Sequence, residues 1–320
     1  MDIQKRFELI KRNTEEIITE DELKKLLAEK KTPITYCGYE PSGPLHLGHF
    51  VTIIKLMDLA KAGFKVKVLL ADIHAFLNKK GTEEEIHEEV LAWKKTIKAI
   101  GLDAEVILGS SFQFNKEYLL DVMHLAQEST INRGLRSMQQ VARDIENATI
   151  SQLWYPLMQI ADIKHLQVNV AYGGMEQRKI HMLGREMQEI LKHKFIALHT
   201  PLITSLKGPG EKMSKSIPGS GISVTDSYEE IKKTINNAYC PAKISEENPI
   251  LQISRLIIFP KIKIFKIKRS EKFGGNIEFE NYNEFEKTYK EGKIHPLDLK
   301  NAVTEYLEEI ISPIRKNFKK

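Results

Sequence analysis

The sequence has few cysteines and no long apolar segment. Cys37 and Cys240 are the only cysteines among 320 residues, which excludes a disulfide framework and a zinc site built on paired CxxC motifs. No run approaches the ~18 consecutive apolar residues of a membrane-spanning helix. The opening MDIQKRFELIKRN mixes charged and apolar residues and lacks the apolar segment of a signal peptide. We therefore expect a cytoplasmic protein with no membrane partner.

The charge balance is mild. The chain has 48 basic and 43 acidic residues, and a net charge of +5 does not by itself require a polyanionic partner. Its distribution is more informative, because KIKIFKIKRSEK (261–272) holds six basic residues against one glutamate. This segment could hold a phosphate backbone, or its lysines could protect the edge of a sheet from pairing. Both readings stay open.

Predicted strands and helices alternate in the first third of the chain. Apolar spacing places strands and helices, in turn, over residues 34–39, 46–62, 65–72, 82–100 and 104–109. Thr82 and Glu85 have the spacing of a capping box, which marks the start of the second helix. Strands joined by helices of ~15 residues must lie parallel, and right-handed crossovers then give a Rossmann-like, doubly wound α/β sheet.

The chain changes character after residue 204. Residues 114–150 and 176–193 are predicted to be mainly helical, and FIALHT (195–200) is a further candidate strand. SLKGPGEKMSKSIPGSGI (205–222) contains four glycines and two prolines, too many for a regular element, and indicates a mobile exposed loop. A smaller, mainly helical domain with the alternating strand KIKIFKIK should follow. The expected domains are 1–204, 205–222 and 223–320.

The turn PSGPLHLGHF (41–50) follows the first predicted strand. It therefore lies at the carboxyl end of a parallel strand, where open α/β sheets bind nucleotides. His46 and His49 share one helix face and can both donate to a phosphate chain, while Gly48 leaves room for a base or ribose. Taken alone, HLGH could equally be a metal-binding pair or an ordinary helix start, although no further ligand cluster for zinc is evident.

A second motif lies on the predicted loop. GEKMSKS (210–216) offers Lys212 and Lys215 as ammonium donors beside small hydroxyls. It is not a Walker loop, because Gly210 is followed by Glu211 rather than by lysine. By itself the segment could be a solvated loop with two surface lysines. Its occurrence after HLGH, on a doubly wound sheet, favours an ATP site.

HLGH and KMSKS resemble the two signature motifs of class I aminoacyl-tRNA synthetases. The whole chain is similar to tyrosyl-tRNA synthetases of the archaeal and eukaryotic type, from YCGYEPSG through LLADIHAFLN, YPLMQIADI and GGMEQRKIHM to KFGG and HPLDLKNAV. The resemblance implies a ligase that activates L-tyrosine with ATP to tyrosyl-adenylate and pyrophosphate. The tyrosyl group would then pass to the 3′-terminal adenosine of tRNA(Tyr). No protein nucleophile is required, and no G-x-S-x-G motif is present.

The resemblance also assigns an amino-acid pocket. Tyr36 and Asp162 would bond the phenolic hydroxyl, and Tyr155, Gln159 and Gln177 would surround the ammonium. Spacing agrees with part of this assignment, because Tyr155, Gln159 and Asp162 fall at i, i+4 and i+7 on one helix face. The other residues implied to line the pocket are Gly38, Glu40, Leu69, His74, Phe112 and Gln113.

Contacts to ATP and tRNA are implied in the same way. The residues for ATP would be His46, Gly48, His49, Lys212, Met213, Ser214, Lys215 and Ser216. Mg²⁺ would arrive with the nucleotide and bridge its phosphates, without protein ligands. Those for the tRNA would be Arg136, Arg178 and Lys179 at the first acceptor base pair, and Phe273, His295 and Asp298 around the first anticodon base. A homodimer with its interface near 114–150 is also implied.

Three alternatives remain at this point. A tryptophanyl-tRNA synthetase shares the fold and both motifs, and an indole N–H could also bond a carboxylate. A small-molecule nucleotidyltransferase could use an HxGH turn, but it would leave the KFGG and HPLD segments unexplained. A noncatalytic RNA-binding relative is disfavoured because both signature motifs are intact.

Overall fold

A computed structural model of the protein describes residues 1–141, 147–210, 213 and 217–319. The chain divides into two compact units. The first comprises Met1–Ser42, Lys55–Lys94 and Leu102–Pro201, and the second comprises Gly43–Ile54, Lys95–Gly101 and Leu202–Lys320. The domain boundaries expected at residues 204 and 222 stay a prediction.

The first unit combines a β-sheet with helices. Its strands are β1 Glu16–Ile18, β2 Ile34–Tyr39, β3 Lys65–Leu70, β4 Glu105–Leu108, β5 Val170–Gly174 and β6 Ile196–Thr200. Its helices are α1 Ile3–Lys11, α2 Glu20–Glu29, α4 Asp72–Leu77, α6 Lys116–Gln127, α7 Ile131–Met138, α8 Ile150–His165, α9 Arg178–Glu186 and α10 Gln188–Leu191. Two more, α3 Leu47–Lys61 and α5 Glu83–Ile100, contribute residues to both units.

The six strands form one sheet in the order β1-β6-β5-β2-β3-β4. Strands β6, β5, β2, β3 and β4 are parallel, which confirms the predicted doubly wound α/β class. After β2 the chain forms β3 and β4 on one side of β2, and it then forms β5 and β6 on the other side. The strand order therefore reverses between β2 and β5, and such a switch point is where open α/β sheets bind ligands.

The strand register opens a crevice at this switch point. Pairing between β2 and β5 extends only as far as Tyr36 and Ala171. Beyond these residues β2 remains paired with β3 up to Tyr39, and β5 remains paired with β6 up to Gly174. The carboxyl ends of β2 and β5 are consequently no longer joined by backbone hydrogen bonds.

Local sequence explains several of these elements. β5 and β6 are buried along their whole length, as expected for parallel strands covered on both faces. The predicted capping box at the start of α5 is confirmed: the Glu85 amide donates to Thr82 Oγ1 at 3.2 Å, and the Thr82 amide donates to Glu85 Oε2 at 2.8 Å. Two otherwise unpaired amides are thereby satisfied.

The structure differs from the sequence prediction at four strands. β1 and β5 were not predicted, and β1 pairs antiparallel with β6. The strand predicted over 65–72 ends at Leu70, because Asp72 begins α4, where an acidic residue is favoured by the helix dipole. The alternating strand expected over 261–268 is reduced to three residues (β7, below). Of the helical region predicted over 114–150, residues 142–146 lie outside the described part.

The second unit is mainly helical, as predicted. Its own elements are α11 Tyr228–Asn237, α12 Pro249–Ile253, α13 Tyr282–Lys290, α14 Pro296–Lys319 and the antiparallel pair β7 Phe265–Ile267 and β8 Ile277–Phe279. Phe265 packs against Phe259 and Phe285, with ring centroids 5.3 and 5.1 Å apart. Among the described residues, no helix has both the length and the apolar character needed to cross a bilayer.

Candidate functional site

A cavity lies within the first unit at the carboxyl edge of the sheet, where β2 and β5 separate. It encloses about 360 Å³, its open mouth included. The lining residues are Tyr36, Gly38, Glu40, Leu69, Ala71, His74, Tyr155, Gln159, Asp162, Tyr172 and Gln177. The structure therefore brings together in one cavity nine of the eleven residues that the family resemblance assigned to the amino-acid pocket. Phe112 and Gln113, which were also expected there, are not part of its lining.

Asp162, on α8, is the buried carboxyl group of the cavity. Its Oδ1 accepts hydrogen bonds from Gln113 Nε2 at 2.8 Å and from the Tyr118 hydroxyl at 2.9 Å. Its Oδ2 has no hydrogen-bond partner within the described part of the chain. Burial raises the pKa of Asp162 to about 7, and the bonds from Gln113 and Tyr118 oppose that shift. A buried acceptor without a donor costs about 1–3 kcal/mol, so a ligand that supplies a donor here gains that amount.

His74 lies beside this carboxyl group. Its Nδ1 is 3.4 Å from the Gln113 amide nitrogen, and its Nε2 is 3.6 Å from Asp162 Oδ2, too far for a direct hydrogen bond. Burial lowers the pKa of His74 to about 4, so the ring is neutral at physiological pH. The edge of the ring contacts Tyr155, with centroids 4.6 Å apart. His74 therefore lines the cavity as an uncharged ring and does not offset the charge of Asp162.

Tyr36 supplies a hydroxyl in the same cavity. It is buried on β2, and its pKa is raised well above its usual value, first by burial and then by the charge of Asp162. The phenol consequently keeps its proton at any physiological pH. Tyr36 can donate that proton to a ligand oxygen, whereas Asp162 Oδ2 can accept one.

Oxygen atoms gather around Glu40 and Gln177. Glu40 Oε1 accepts from Asn78 Nδ2 at 2.9 Å, and Gln159 Nε2 donates to Gln177 Oε1 at 3.1 Å. The pKa of Tyr155 is raised well above its usual value, first by burial and then by Glu40. Amide, hydroxyl and carboxylate oxygens of this kind suit a ligand ammonium group.

Two glycines of the adjoining strands have different reasons to be glycine. A Cβ at Gly173 would lie 2.8 Å from Gln177 Cγ, so any larger residue would displace the Gln177 side chain. A Cβ at Gly38 would meet only Leu69 and Tyr36, at 3.9 and 4.0 Å, which are ordinary contacts. The protein itself has room for a methyl group at Gly38, and that methyl would occupy ligand space.

The HLGH turn lies in the second unit, and α3 begins at Leu47. The rings of His46 and His49 are stacked, with centroids 3.8 Å apart. The Gly48 amide donates to His46 Nδ1 at 3.1 Å, and the His46 amide points to His49 Nδ1 at 3.4 Å. With Nδ1 as the acceptor, each neutral ring carries its hydrogen on Nε2. A Cβ at Gly48 would lie 2.9 Å from the His46 ring, so glycine permits this arrangement.

The segment that follows KMSKS is joined to this turn by backbone hydrogen bonds. The Leu47 amide donates to Ile222 O at 2.9 Å, and the Val224 amide donates to Leu45 O at 3.0 Å. Met213 is buried. The other predicted members of the motif, Lys212, Ser214, Lys215 and Ser216, lie outside the described residues.

The residues predicted to contact the acceptor end lie on two neighbouring helices of the first unit. Arg136 is exposed on α7, and Arg178 and Lys179 open α9. Lys179 Nζ donates to the Gln139 side chain at the end of α7. Lys179 is thereby placed beside the helix that carries Arg136.

The residues predicted to contact the anticodon lie in the second unit. Gly274 and Gly275, with φ of 88° and 70°, form the turn after Phe273, whose side chain is outside the described part. Arg269 donates to Gly275 O at 2.9 Å and to Lys293 O at 2.7 Å. It thereby ties this turn to the segment just before His295. His295 is exposed, and Asp298 lies in the first turn of α14.

Comparison with known proteins identifies the family. The family described as tRNA synthetases class I (W and Y) matches residues 28–312. A tyrosine–tRNA ligase of Archaeoglobus fulgidus is 49% identical over 99% of this chain and 98% of its own length. One from Methanocaldococcus jannaschii is 49% identical over 97% of this chain and 98% of its own. The chain belongs to the tyrosyl-tRNA synthetase family of class I.

Solved structures of this family agree with the fold. The tyrosyl-tRNA synthetase of Archaeoglobus fulgidus complexed with L-tyrosine has a TM-score of 0.95 and 48% identity, with 99% of this chain and 100% of that chain covered. The tryptophanyl-tRNA synthetase of Aeropyrum pernix is similar at a TM-score of 0.74 and 20% identity, with 94% and 82% covered. The second likeness reflects the fold alone.

Sequence reasoning missed several residues of the site. Tyr172 and Ala71 line the cavity, Tyr118 holds Asp162, and Arg269 joins two loops of the second unit. Tyr172 lies on β5, which was not predicted. The partners of Tyr118 and Arg269 are distant in the sequence, so no local pattern indicates them.

Gly38→Ala should weaken amino-acid binding without destabilising the protein. The added methyl meets no protein atom closer than 3.9 Å but enters the cavity. We expect KM for the amino acid to rise at least ~10-fold, with the midpoint of thermal unfolding within about 2 °C of wild type. Amino-acid titrations and a thermal melt measure the two effects. Unchanged binding would mean that Gly38 does not face the ligand.

Asp162→Asn should stabilise the ligand-free protein in a pH-dependent way. Because burial raises the pKa of Asp162 from 3.8 to about 7, the folded state retains a proton that the unfolded state loses between these values. The stability due to protonated Asp162 is thus present below pH 4 and is lost as pH rises through 7.

Asparagine carries no charge at any pH. The variant should therefore exceed wild type by about 1–3 kcal/mol at pH 8 and by much less at pH 5, while amino-acid binding is lost. Urea unfolding at the two pH values measures the difference. Equal destabilisation at both would contradict the charge-burial argument.

Proposed function

We propose that this protein is a tyrosine–tRNA ligase, which activates L-tyrosine with ATP and transfers the tyrosyl group to tRNA(Tyr). The observation that carries the proposal is the unpartnered Oδ2 of buried Asp162, in one cavity with the protonated hydroxyl of Tyr36. A phenolic hydroxyl is both a donor and an acceptor, so it can serve both groups at once. Phenylalanine would leave both of them unpaired.

The same pair favours tyrosine over tryptophan. An indole N–H can donate to Asp162, but it has no lone pair to accept a hydrogen bond from Tyr36. Burying the Tyr36 hydroxyl against an indole would therefore leave one donor unsatisfied, at a cost of about 1–3 kcal/mol. In the same cavity, Tyr155, Gln159 and Gln177 supply oxygens for the substrate ammonium.

Adenylate formation needs alignment and charge rather than a protein nucleophile. The tyrosine carboxylate attacks the α-phosphorus of ATP, and the bond to the leaving pyrophosphate breaks. We assign the Nε2–H groups of His46 and His49 to phosphate oxygens, and Lys212 and Lys215 to the leaving pyrophosphate. The backbone bonds of Ile222 and Val224 to the HLGH turn support this assignment, because they hold the part of the chain that follows KMSKS beside that turn.

Mg²⁺ is expected to enter bound to ATP. Within the described residues, no cluster of three or more His, Cys, Asp or Glu side chains is arranged to hold a metal ion. Phosphate oxygens match the preference of Mg²⁺ for hard oxygen ligands, and the ion supplies charge neutralisation during phosphoryl chemistry. The protein's own part is to orient the phosphates.

The tRNA would contact both units. Arg136, Arg178 and Lys179 provide cations for the acceptor end. In the second unit, His295 and Phe273 would stack on a splayed anticodon base while Asp298 bonds its edge. Arg269 supports this arrangement because it joins the two loops that carry the stacking residues.

A homodimer is proposed on the exposed apolar surface of the first unit. Large apolar side chains there are far more exposed than is usual, among them Phe114 (65%), Ile131 (68%) and Ile150 (76%). Large apolar side chains exposed in one region of a protein often mark an interface. This surface coincides with the region 114–150 implied by the family resemblance. Sedimentation at the mass of one 36.8 kDa chain would contradict the dimer.

Tyrosine should support ATP–pyrophosphate exchange, and tryptophan and phenylalanine should not. One unpaired group at about 1–3 kcal/mol lowers the expected kcat/KM for tryptophan roughly 5- to 150-fold, and two unpaired groups lower that for phenylalanine further. Comparable exchange with tryptophan would overturn the tyrosine assignment.

In pre-steady-state measurements, Lys212→Ala and Lys215→Ala should each slow adenylate formation by about 10²-fold or more, and unchanged rates would refute their role.

His295→Ala should separate the two reactions. The side chain lies in the second unit, exposed and outside the amino-acid cavity, so tyrosine-dependent exchange should keep its wild-type rate. Aminoacylation should lose about 1–3 kcal/mol of base-stacking energy, seen as a ~5- to 100-fold fall in kcat/KM for tRNA. Lys290→Ala, on neighbouring helix α13, is a control for loss of a polar side chain. Equal losses in both reactions would refute the division of labour.

A further inference from the structure

A partly buried polar cluster outside the cavity joins Arg178 to three residues that have no role in the reaction described above. Glu16 on β1 and His199 on β6 are directly opposite each other in the antiparallel pair. Arg178 and His181 are three residues apart on α9 and so share one helix face. Two residues of the sheet and two residues of α9 therefore lie in one cluster.

Three contacts join the members of this cluster. Glu16 Oε1 accepts from Arg178 Nε at 2.6 Å. His199 Nδ1 lies 2.9 Å from the same oxygen but is not aligned with it for a hydrogen bond. On its other side, His199 Nε2 lies 2.9 Å from His181 Nδ1, and the donor in that bond depends on the tautomers of the two rings.

Both imidazoles are neutral. Burial lowers the pKa of His181 well below its usual value and also lowers that of His199. Neither ring brings a positive charge that would compete with Arg178 for the carboxylate. Glu16 is thus flanked on the inside of the fold by a neutral ring, and its hydrogen-bonded partner is the guanidinium.

Among the described residues, Arg178 is hydrogen-bonded at one edge of its guanidinium. Its Nε–H is used by Glu16, while the side chain is 43% exposed. The outer edge of a guanidinium, with its two Nη groups, is the edge that binds paired acceptors such as phosphate oxygens or the O6 and N7 of guanine. An arginine fixed through Nε loses less side-chain entropy on binding than a mobile one.

We propose that Glu16, whose carboxylate lies beside the buried pair His199 and His181, is a positioning residue that fixes Arg178 as a two-donor contact for the acceptor end of the tRNA. The inference rests on the proposed ligase function and extends it to a residue that makes no contact with substrate itself. The ligand chemistry is a pair of acceptor atoms, either on a phosphate or on a base edge.

Simple electrostatics predicts the opposite effect of removing Glu16. Deleting a carboxylate beside Arg178 and Lys179 makes the surface more positive, which should tighten the binding of a polyanion. Positioning predicts weaker and less specific binding, because the guanidinium then samples other rotamers. The sign of the change therefore separates the two explanations.

The test compares Glu16→Gln with a matched control, Glu22→Gln. Glu22 also pairs with an arginine of α9, at 3.0 Å from Arg185, but that arginine side chain is only 16% exposed. Both variants lose one negative charge, and glutamine at position 22 still suits the capping box with Thr19. We expect Glu16→Gln to raise KM for tRNA about 5- to 10-fold, with tyrosine-dependent pyrophosphate exchange unchanged, and Glu22→Gln to leave KM unchanged or slightly lower.

Substrate variants identify the contacted group. If Arg178 reads a base edge, Glu16→Gln should reduce the preference for the native first base pair over a changed one. If Arg178 contacts a phosphate, the loss of affinity should be equal for both tRNAs. The number of phosphate contacts deduced from the salt dependence of tRNA binding should then fall by about one. Arg178→Lys, which keeps the charge but lacks the fork, should raise KM for tRNA in the same way.

The outcomes that overturn the inference are distinct from failure of the ligase assignment. An unchanged or lower KM for tRNA in Glu16→Gln, an equal rise in Glu22→Gln, or a wild-type KM in Arg178→Lys would each refute positioning. Should Glu16→Gln fail to fold, Arg178→Lys becomes the test of the inference, because the side chain of residue 178 lies partly at the surface and its replacement is tolerated more easily. Absence of tyrosine-dependent exchange in the wild type would instead refute the ligase.

Discussion

The buried carboxyl group of Asp162 is the constraint on which the site depends. One of its oxygens is satisfied by Gln113 and Tyr118, and the other has no partner among the described residues. The protein therefore carries an unsatisfied acceptor, kept ready for a ligand at the expense of stability. Such a group is tolerated because helix α8 and its packing fix it in place, so the donor that completes it must come from outside the fold.

The position of that carboxyl group follows from the topology of the sheet. β2 and β5 part after Tyr36, so the crevice is created by strand order rather than by a special loop. Side chains from β2, α4 and α8 then converge on it from three directions. A parallel sheet supplies the opening, and the polar residues decide which molecule enters. Fold and specificity are in this sense set by different parts of the sequence.

Patterns that repeat within one element could be predicted from the sequence. The spacing of Tyr155, Gln159 and Asp162 placed them on one helix face, and the alternation of strands with helices gave the doubly wound sheet. β1 could not be predicted in this way, because three residues carry no measurable periodicity and the strand exists only through its pairing with β6. β5 was missed because VAYGG, with two glycines, resembles a turn, although its burial between neighbours makes it a strand.

Contacts between elements distant in the sequence could not be predicted, for the same reason. Tyr118 meets Asp162 across 44 positions, and Glu16 meets Arg178 across 162. Neither pair has a local signature, yet each orients a group that a motif does reveal. A motif thus identifies the atoms that touch the ligand, whereas the groups that hold those atoms appear only once the chain is folded. Because orientation determines how much of a hydrogen bond's energy is realised, the residues that orient a ligand-binding group influence specificity as directly as the group itself.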